Sequence, residues 1–309
     1  MTIEKVTTVD PVEEINTLVS KALVALDEFR LLNQEQVDNI VEKASAAARD
    51  AARILAQHAN EETGRGVFED KVTKNLFASE NVANYLRGLK TVGIVDKNES
   101  DGLTTIADPV GVVCAIVPTT NPTSTTIFKS LISLKTRNPI IFSFHPAANE
   151  SSKQTARIVR DAAIKAGAPK GCIQFIEQPS LDATNALMKH DGVSIILATG
   201  GSAMVKAAYS CGKPALGVGP GNVPAYVHKD AKLKEAVIDI VLSKSFDNGM
   251  ICASEQAAIV DTEHYEEFIE LMKEHHVYFV NKEEKAKLEE FVFGAKAYSH
   301  NCAGAKLNA

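Results

Sequence analysis

Ile15, Leu18, Val19, Leu23, Val24 and Leu26 recur at the spacing of one helical face, directly after Asp10, Pro11 and Glu13. An N-cap acid, a proline at the first helical position and an acid in the first turn place a helix start there. Asn33 opens a second helix, which the pattern Val37, Ile40, Val41, Ala44, Ala48, Ile54, Leu55 carries from Gln34 to about His58, and Gly64-Arg-Gly66 ends it. Residues 67–90 read as a further helical pair. Val92–Val95 and Leu103–Ala107 then flank the polar turn Lys97-Asn-Glu-Ser-Asp-Gly102, which predicts a hairpin near 92–108, an arm outside the main sheet.

Beyond the hairpin the period changes. Short apolar runs at Val110–Val117, Pro139–Ser143, Cys172–Ile176 and Ser194–Ala198 alternate with amphipathic helices near 122–137, 150–167 and 180–190. This alternation predicts an α/β fold with a parallel sheet. A second α/β stretch starts near Pro224–His228: a helix over Asp230–Phe246, a strand at Ala257–Val260, a helix from Asp261, a strand at Val277–Val280 and a helix from about Lys282. The division expected is 1–228 for the first domain and 229–309 for the second.

Composition narrows the function classes. With 309 residues, 45% hydrophobic and 23% charged, the chain can bury two cores and is not of a disordered class. A net charge of -6, with lysine and arginine scattered, points away from nucleic-acid partners, and no apolar run is long enough to suggest a membrane span. Cys114, Cys172, Cys211, Cys252 and Cys302 lie far apart without metal-ligand spacing, so neither a disulfide framework nor a metal site is expected, and a reducing, cytoplasmic compartment fits.

Five stretches could carry chemistry, each with a plain structural alternative. In Ser245-Phe-Asp-Asn-Gly-Met-Ile-Cys-Ala-Ser-Glu-Gln256 the thiol of Cys252 is either a nucleophile or a buried filler. Ile196-Leu-Ala-Thr-Gly-Gly-Ser202 is a strand entering a glycine turn and a helix, suited to a pyrophosphate or simply a strand-to-helix turn. His145 ends the run Phe142–His145 and either faces the same crevice or is a loop histidine. Asn121, in Val117-Pro-Thr-Thr-Asn-Pro122, either donates to an oxyanion or serves its turn. The glycines of Lys213-Pro-Ala-Leu-Gly-Val-Gly-Pro-Gly-Asn222 imply backbone close to a ligand or several positive φ angles.

Taken together, Pro118–Ser124, Ile127–Asn138, Ala198–Gly201, Lys213–Asn222 and Phe246–Gln256 resemble the aldehyde dehydrogenase superfamily in its CoA-acylating branch. The likeness is greatest to the N-terminal half of the bifunctional acetaldehyde-CoA/alcohol dehydrogenases of fermenting bacteria. The resemblance implies a Rossmann-type NAD domain followed by an incomplete catalytic α/β domain. It implies Cys252 as nucleophile and Asn121 as the side-chain half of an oxyanion hole, with the Cys252 backbone N–H as the other half. Thr199, Gly200 and Gly201 match the turn under the NAD pyrophosphate, and His145 the adenosine end. Gly217 and Gly219 fall in the segment where hydrolytic relatives carry the water-activating glutamate, and Gly217 stands at that position. Without that base the acyl group on Cys252 is kept for coenzyme A. The implied reaction is the reversible conversion of acetyl-CoA and NADH to acetaldehyde, CoA and NAD, in a family that forms homo-oligomers. The family's domain continues past Ala309, so the chain is expected to be a truncated form, and an NAD-binding or assembly module without turnover is the alternative. Where the family has Pro and Arg in the His145 loop, this chain has Phe144 and Ala147.

Overall fold

The computed structural model describes residues 11–293. They form two compact units: one of 72–219 with the chain up to Thr63, the other of 64–71 with the chain from Pro220 onward. Val223–Val227, inside the 1–228 division although the second α/β stretch is expected to start near Pro224, lies in the second unit, where it pairs with Glu255–Val260.

In the first unit, α1 (Pro11–Arg30), α2 (Gln34–Asp50) and α3 (Ala52–Thr63) precede α4 (Phe68–Leu76), which belongs to the second unit up to Lys71 and to the first from Val72, and then a π-helical turn at Phe77–Asn81 and α5 (Val82–Arg87). Asn33 caps α2 in a reciprocal box with Gln36. The single helix expected over Gln34–His58 is two, parted at Ala51, and the second runs on to Thr63. Strands β1 (Gly93–Asn98) and β2 (Leu103–Ala107) form the antiparallel hairpin, with a register shift between Ile94 and Asp96. Then follow β3 (Val112–Val117), α6 (Pro122–Lys135), β4 (Ile140–Phe144), α7 (Asn149–Lys165), β5 (Ile173–Phe175), α8 (Leu181–Lys189), β6 (Val193–Thr199), α9 (Ser202–Tyr209) and β7 (Ala215–Val218).

The five strands are parallel in the order β5-β4-β3-β6-β7. Every residue of β3 and β4 is buried, as expected of strands covered on both faces. Alternate β3 residues enter opposite cores: Val113, Ala115 and Val117 pack with α2, α6 and α7, while Val112, Cys114 and Ile116 pack with α1 and α8. Chain order reverses between β3 and β6, so the crevice at their carboxyl ends is the switch point where such sheets take ligands. Strand β7 lies inside the glycine-rich stretch that from sequence carried no strand.

The second unit holds β8 (Val223–Val227), α10 (Leu233–Ser245), β9 (Glu255–Val260), α11 (Tyr265–Glu274) and α12 (Lys282–Phe293). Val227, Leu233, Val237, Phe268 and Leu271 make its core. The strand expected at Val277–Val280 does not form among the described residues: the Val277 N–H returns to Met272 O, and Tyr278, Phe279 and Val280 are exposed. An apolar β-branched run becomes a strand only where a neighbour offers pairing groups.

Candidate functional site

In the first unit the candidate residues sit at the carboxyl ends of β3, β4 and β6. Asn121 follows β3 and stands at the N-cap of α6, yet its side chain makes no cap bond. Instead Lys74 Nζ donates to Asn121 Oδ1 at 2.6 Å, and Asn121 Nδ2 donates to Thr120 Oγ1 at 3.1 Å. Beside it, buried Asn75 accepts from Thr123 Oγ1 at 2.7 Å and donates to Ala52 O at 3.0 Å. The loop is thus tied to α4 by two neighbouring side chains.

Thr199 ends β6, and Gly200 and Gly201 make the turn into α9. The Gly200 N–H donates to Val218 O at 3.1 Å. Gly201 is the extended N-cap of α9 and supplies no side-chain cap, and a Cβ there would meet only open space. No side chain at Gly201 crowds the N-terminal turn of α9, an arrangement that suits a phosphate. Lys129 lies under this end of the sheet, its Nζ donating to Ile116 O and Leu197 O at 2.7 Å each, which joins β3 to β6 at the switch point. Burial pushes its ammonium down to about 7. His145 is exposed after β4, and its Nδ1 accepts from the Ala147 N–H at 3.1 Å, shaping the turn before α7.

The glycines at 217, 219 and 221 have no positive φ, so of the two readings the positive-φ one is corrected. Gly217 is hemmed in by its own unit: a Cβ would come within 2.7 Å of both Val205 Cγ1 and Tyr209 Cε2, and the Tyr209 hydroxyl accepts from its N–H at 2.9 Å. Gly219 lies beside Val205 with room to spare.

In the second unit, Cys252 occupies the turn between α10 and β9. It is the exposed cysteine among the four described; Cys114 and Cys172 are buried and pushed up to about 12 by that burial. The turn rests on Asp247, which is wholly buried with φ 49°, followed by Asn248 at 55° and Gly249 at 68°. Asn and Gly tolerate this left-handed backbone well, and Asp better than most residues. Asp247 Oδ1 accepts from the Val67 N–H at 2.7 Å, Oδ2 from Lys71 Nζ at 3.3 Å, and its own N–H donates to Asp70 Oδ2 at 2.7 Å. Gly66 makes room, since a Cβ there would stand 2.1 Å from Asp247 Oδ1. Past the thiol, the Cys252 carbonyl oxygen would be 2.6 Å from a Cβ on Gly221. A cavity of about 700 Å³ opens beside the turn, bordered by Val241, Lys244, Asn248, Gly249, Met272 and His275.

Sequence reasoning missed Lys71, Lys74, Lys129 and Asp247. The available signal was the polar set Asp70, Lys71, Lys74 and Asn75, which recurs at helical spacing on α4. Among the described residues no helix is long and apolar enough to cross a membrane.

Residues 2–290 match the model of the aldehyde dehydrogenase family. An aldehyde-alcohol dehydrogenase of Streptococcus pneumoniae is 68% identical over 297 residues, covering 96% of this chain and 34% of that protein. The chain thus spans about a third of that relative's length. An acetylating aldehyde dehydrogenase of Geobacillus thermoglucosidasius superposes with a TM-score of 0.88 at 49% identity, covering 92% of this chain and 63% of that one. A propionaldehyde dehydrogenase of Rhodopseudomonas palustris, solved with bound CoA and an acylated cysteine, gives 0.79 at 32% identity over 91% of this chain and 64% of its own. A parallel sheet with a glycine turn at its switch point, an exposed thiol in a braced turn, and a family match over nearly the whole length agree: the chain belongs to the aldehyde dehydrogenase family.

Proposed function

We propose that the chain carries the nucleophile and the dinucleotide-binding sheet of a CoA-acylating acetaldehyde dehydrogenase, which interconverts acetyl-CoA plus NADH and acetaldehyde plus CoA and NAD. The observation that carries this reading is Cys252, exposed in a turn whose backbone is braced by the buried Asp247. A thiolate at Cys252 attacks the acyl carbonyl, the C–S bond forms, and the carbonyl electron pair moves onto oxygen. In this reading the Asn121 amide and the Cys252 N–H donate to that oxygen. Collapse breaks the bond to the CoA sulfur, CoA leaves and takes up a proton, and an acetyl thioester stays on Cys252.

Thr199, Gly200, Gly201 and the first turn of α9 hold the dinucleotide phosphates, with His145 toward its adenosine end and Gly217 and Gly219 along the same sheet edge. The nicotinamide supplies the hydride in the reducing direction and accepts it in the other. Gly217 presents no carboxylate, and its packing against Tyr209 and Val205 leaves no space for one without rearrangement. Water beside the thioester then finds no carboxylate at position 217 to activate it, which favours the CoA thiol as acceptor. The bound CoA and acylated cysteine of the Rhodopseudomonas enzyme support the same pair of roles here.

CoA-dependent NADH formation from acetaldehyde, compared between wild type and Cys252→Ser, tests the reading. Loss of activity in the variant is expected, and equal rates would defeat it. Binding of NADH without turnover by the wild type would leave the dinucleotide half standing alone.

A further inference from the structure

The amide of Asn121 can serve a developing oxyanion only if its NH2 group, and not its carbonyl, is turned toward the substrate. An asparagine side chain is nearly symmetric in shape, so packing alone selects poorly between the two orientations, and hydrogen bonding must decide. A lysine ammonium has three donors and no acceptor. At 2.6 Å from Lys74 Nζ, the atom of Asn121 must therefore be the oxygen. Lys74 is itself buried, with 8% of its surface exposed, so this charge acts with little screening by water. Asn121 Nδ2 then projects away from the cation. One of its hydrogens goes to Thr120 Oγ1 at 3.1 Å, which leaves a second for a substrate oxygen.

The cation also changes the amide's chemistry. Drawing electron density onto Oδ1 raises the double-bond character of the C–N bond and the partial positive charge on the NH2 hydrogens, so the bond to an oxyanion strengthens along the chain Lys74 to Asn121. Asn75, one residue on, fixes Thr123 at 2.7 Å and Ala52 O at 3.0 Å, so α4 holds the α6 end of the loop as well.

We propose that Lys74 is a positioning residue for the acyl-transfer step: it locks the Asn121 amide with its NH2 toward the substrate and polarises it as an oxyanion donor. The inference rests on the reading of Asn121 given above.

Two measurements test it. The side-chain NH2 resonance of Asn121, assigned by its disappearance in Asn121→Ala, needs no turnover. It is expected to move toward the ordinary asparagine position in Lys74→Met, with NADH binding unchanged. The second is the rate at which acetyl-CoA acetylates Cys252, followed by mass spectrometry in a double-mutant cycle. Removing a whole oxyanion donor costs about 100- to 1000-fold, so losing its orientation and polarisation in Lys74→Met is expected to cost about 10- to 100-fold. In the Asn121→Ala background the same change is expected to cost nothing further. If Lys74→Met does not fold, Lys74→Gln, neutral but still a donor, is compared in the same way and is expected to lose the polarisation alone. An unmoved amide resonance, or equal slowing by the lysine change in both backgrounds, would overturn the role of Lys74. Normal acetylation in Asn121→Ala would instead remove the oxyanion reading beneath it, a result distinguishable because the amide resonance reports on Lys74 and Asn121 without reference to rate.

Discussion

Asp247→Asn isolates the charge of Asp247 from its shape. Asparagine tolerates the left-handed backbone at this position, φ 49°, and its Oδ1 can still accept from the Val67 N–H, so turn geometry and that bond persist. What is lost is the partner of Lys71, whose side chain is only 3% exposed. Orphaning one member of a buried pair costs about 3–5 kcal/mol, so urea denaturation followed by circular dichroism should show a loss of that order near neutral pH. Burial already lowers the Lys71 pKa, and Asp247 opposes that shift; with Asn it falls further. A lysine whose folded pKa lies below its unfolded value destabilises the fold while protonated, and this penalty fades as pH rises toward the ordinary lysine value. The deficit of Asp247→Asn relative to wild type should accordingly shrink at alkaline pH. Lys71→Met combined with Asp247→Asn removes both charges and should recover most of the loss. A double variant as unstable as the sum of the two singles would refute the pairing, as would a deficit that grows with pH.

Other outcomes follow from the same geometry. Lys129, held down to about 7 by burial, binds fewer protons folded than unfolded between that value and about 10.4, so stability should rise with pH through this window and the rise should be absent in Lys129→Met. Gly221→Ala places a Cβ 2.6 Å from the Cys252 carbonyl oxygen and should slow acetylation of Cys252 at a cost of about 1–3 kcal/mol in stability. Gly217→Ala must displace Val205 or Tyr209 from 2.7 Å contacts; about 1–3 kcal/mol is expected by denaturation, and an unchanged midpoint would contradict the packing described. Iodoacetamide on the native protein should label Cys252 well before Cys114 or Cys172, whose buried thiols are pushed up to about 12, as peptide mapping would show.

Much of the fold was legible because short apolar runs and period-3.6 patterns report burial directly. Val112–Val117 is a continuous apolar run, and Ile140–Phe144 is one but for the buried Ser143, because both faces of the sheet are covered. What escaped was set by partners distant in sequence. Ala215–Val218 reads as a glycine loop, yet β6 offers it a parallel edge; Val277–Val280 reads as a strand, yet no described segment pairs with it. For the candidate site, the sequence pointed to Cys252, Asn121 and the Thr199–Gly201 turn through the strings that contain them. It did not point to Lys74 or Lys71, because a polar residue on an amphipathic helix ordinarily faces water. Here Asp70, Lys71, Lys74 and Asn75 turn inward, and only tertiary contact reveals that Lys71 meets a carboxylate and Lys74 an amide.

In the proposed function Cys252 accepts an acyl group from CoA. Incubating the chain with acetyl-CoA in the absence of reductant and mapping its peptides by mass spectrometry tests this most directly. An acetyl group on the Cys252 peptide, reversed by added CoA and absent in Cys252→Ser, is the predicted result. Acetylation confined to other cysteines, or equal labelling of the Cys252→Ser protein, would contradict it.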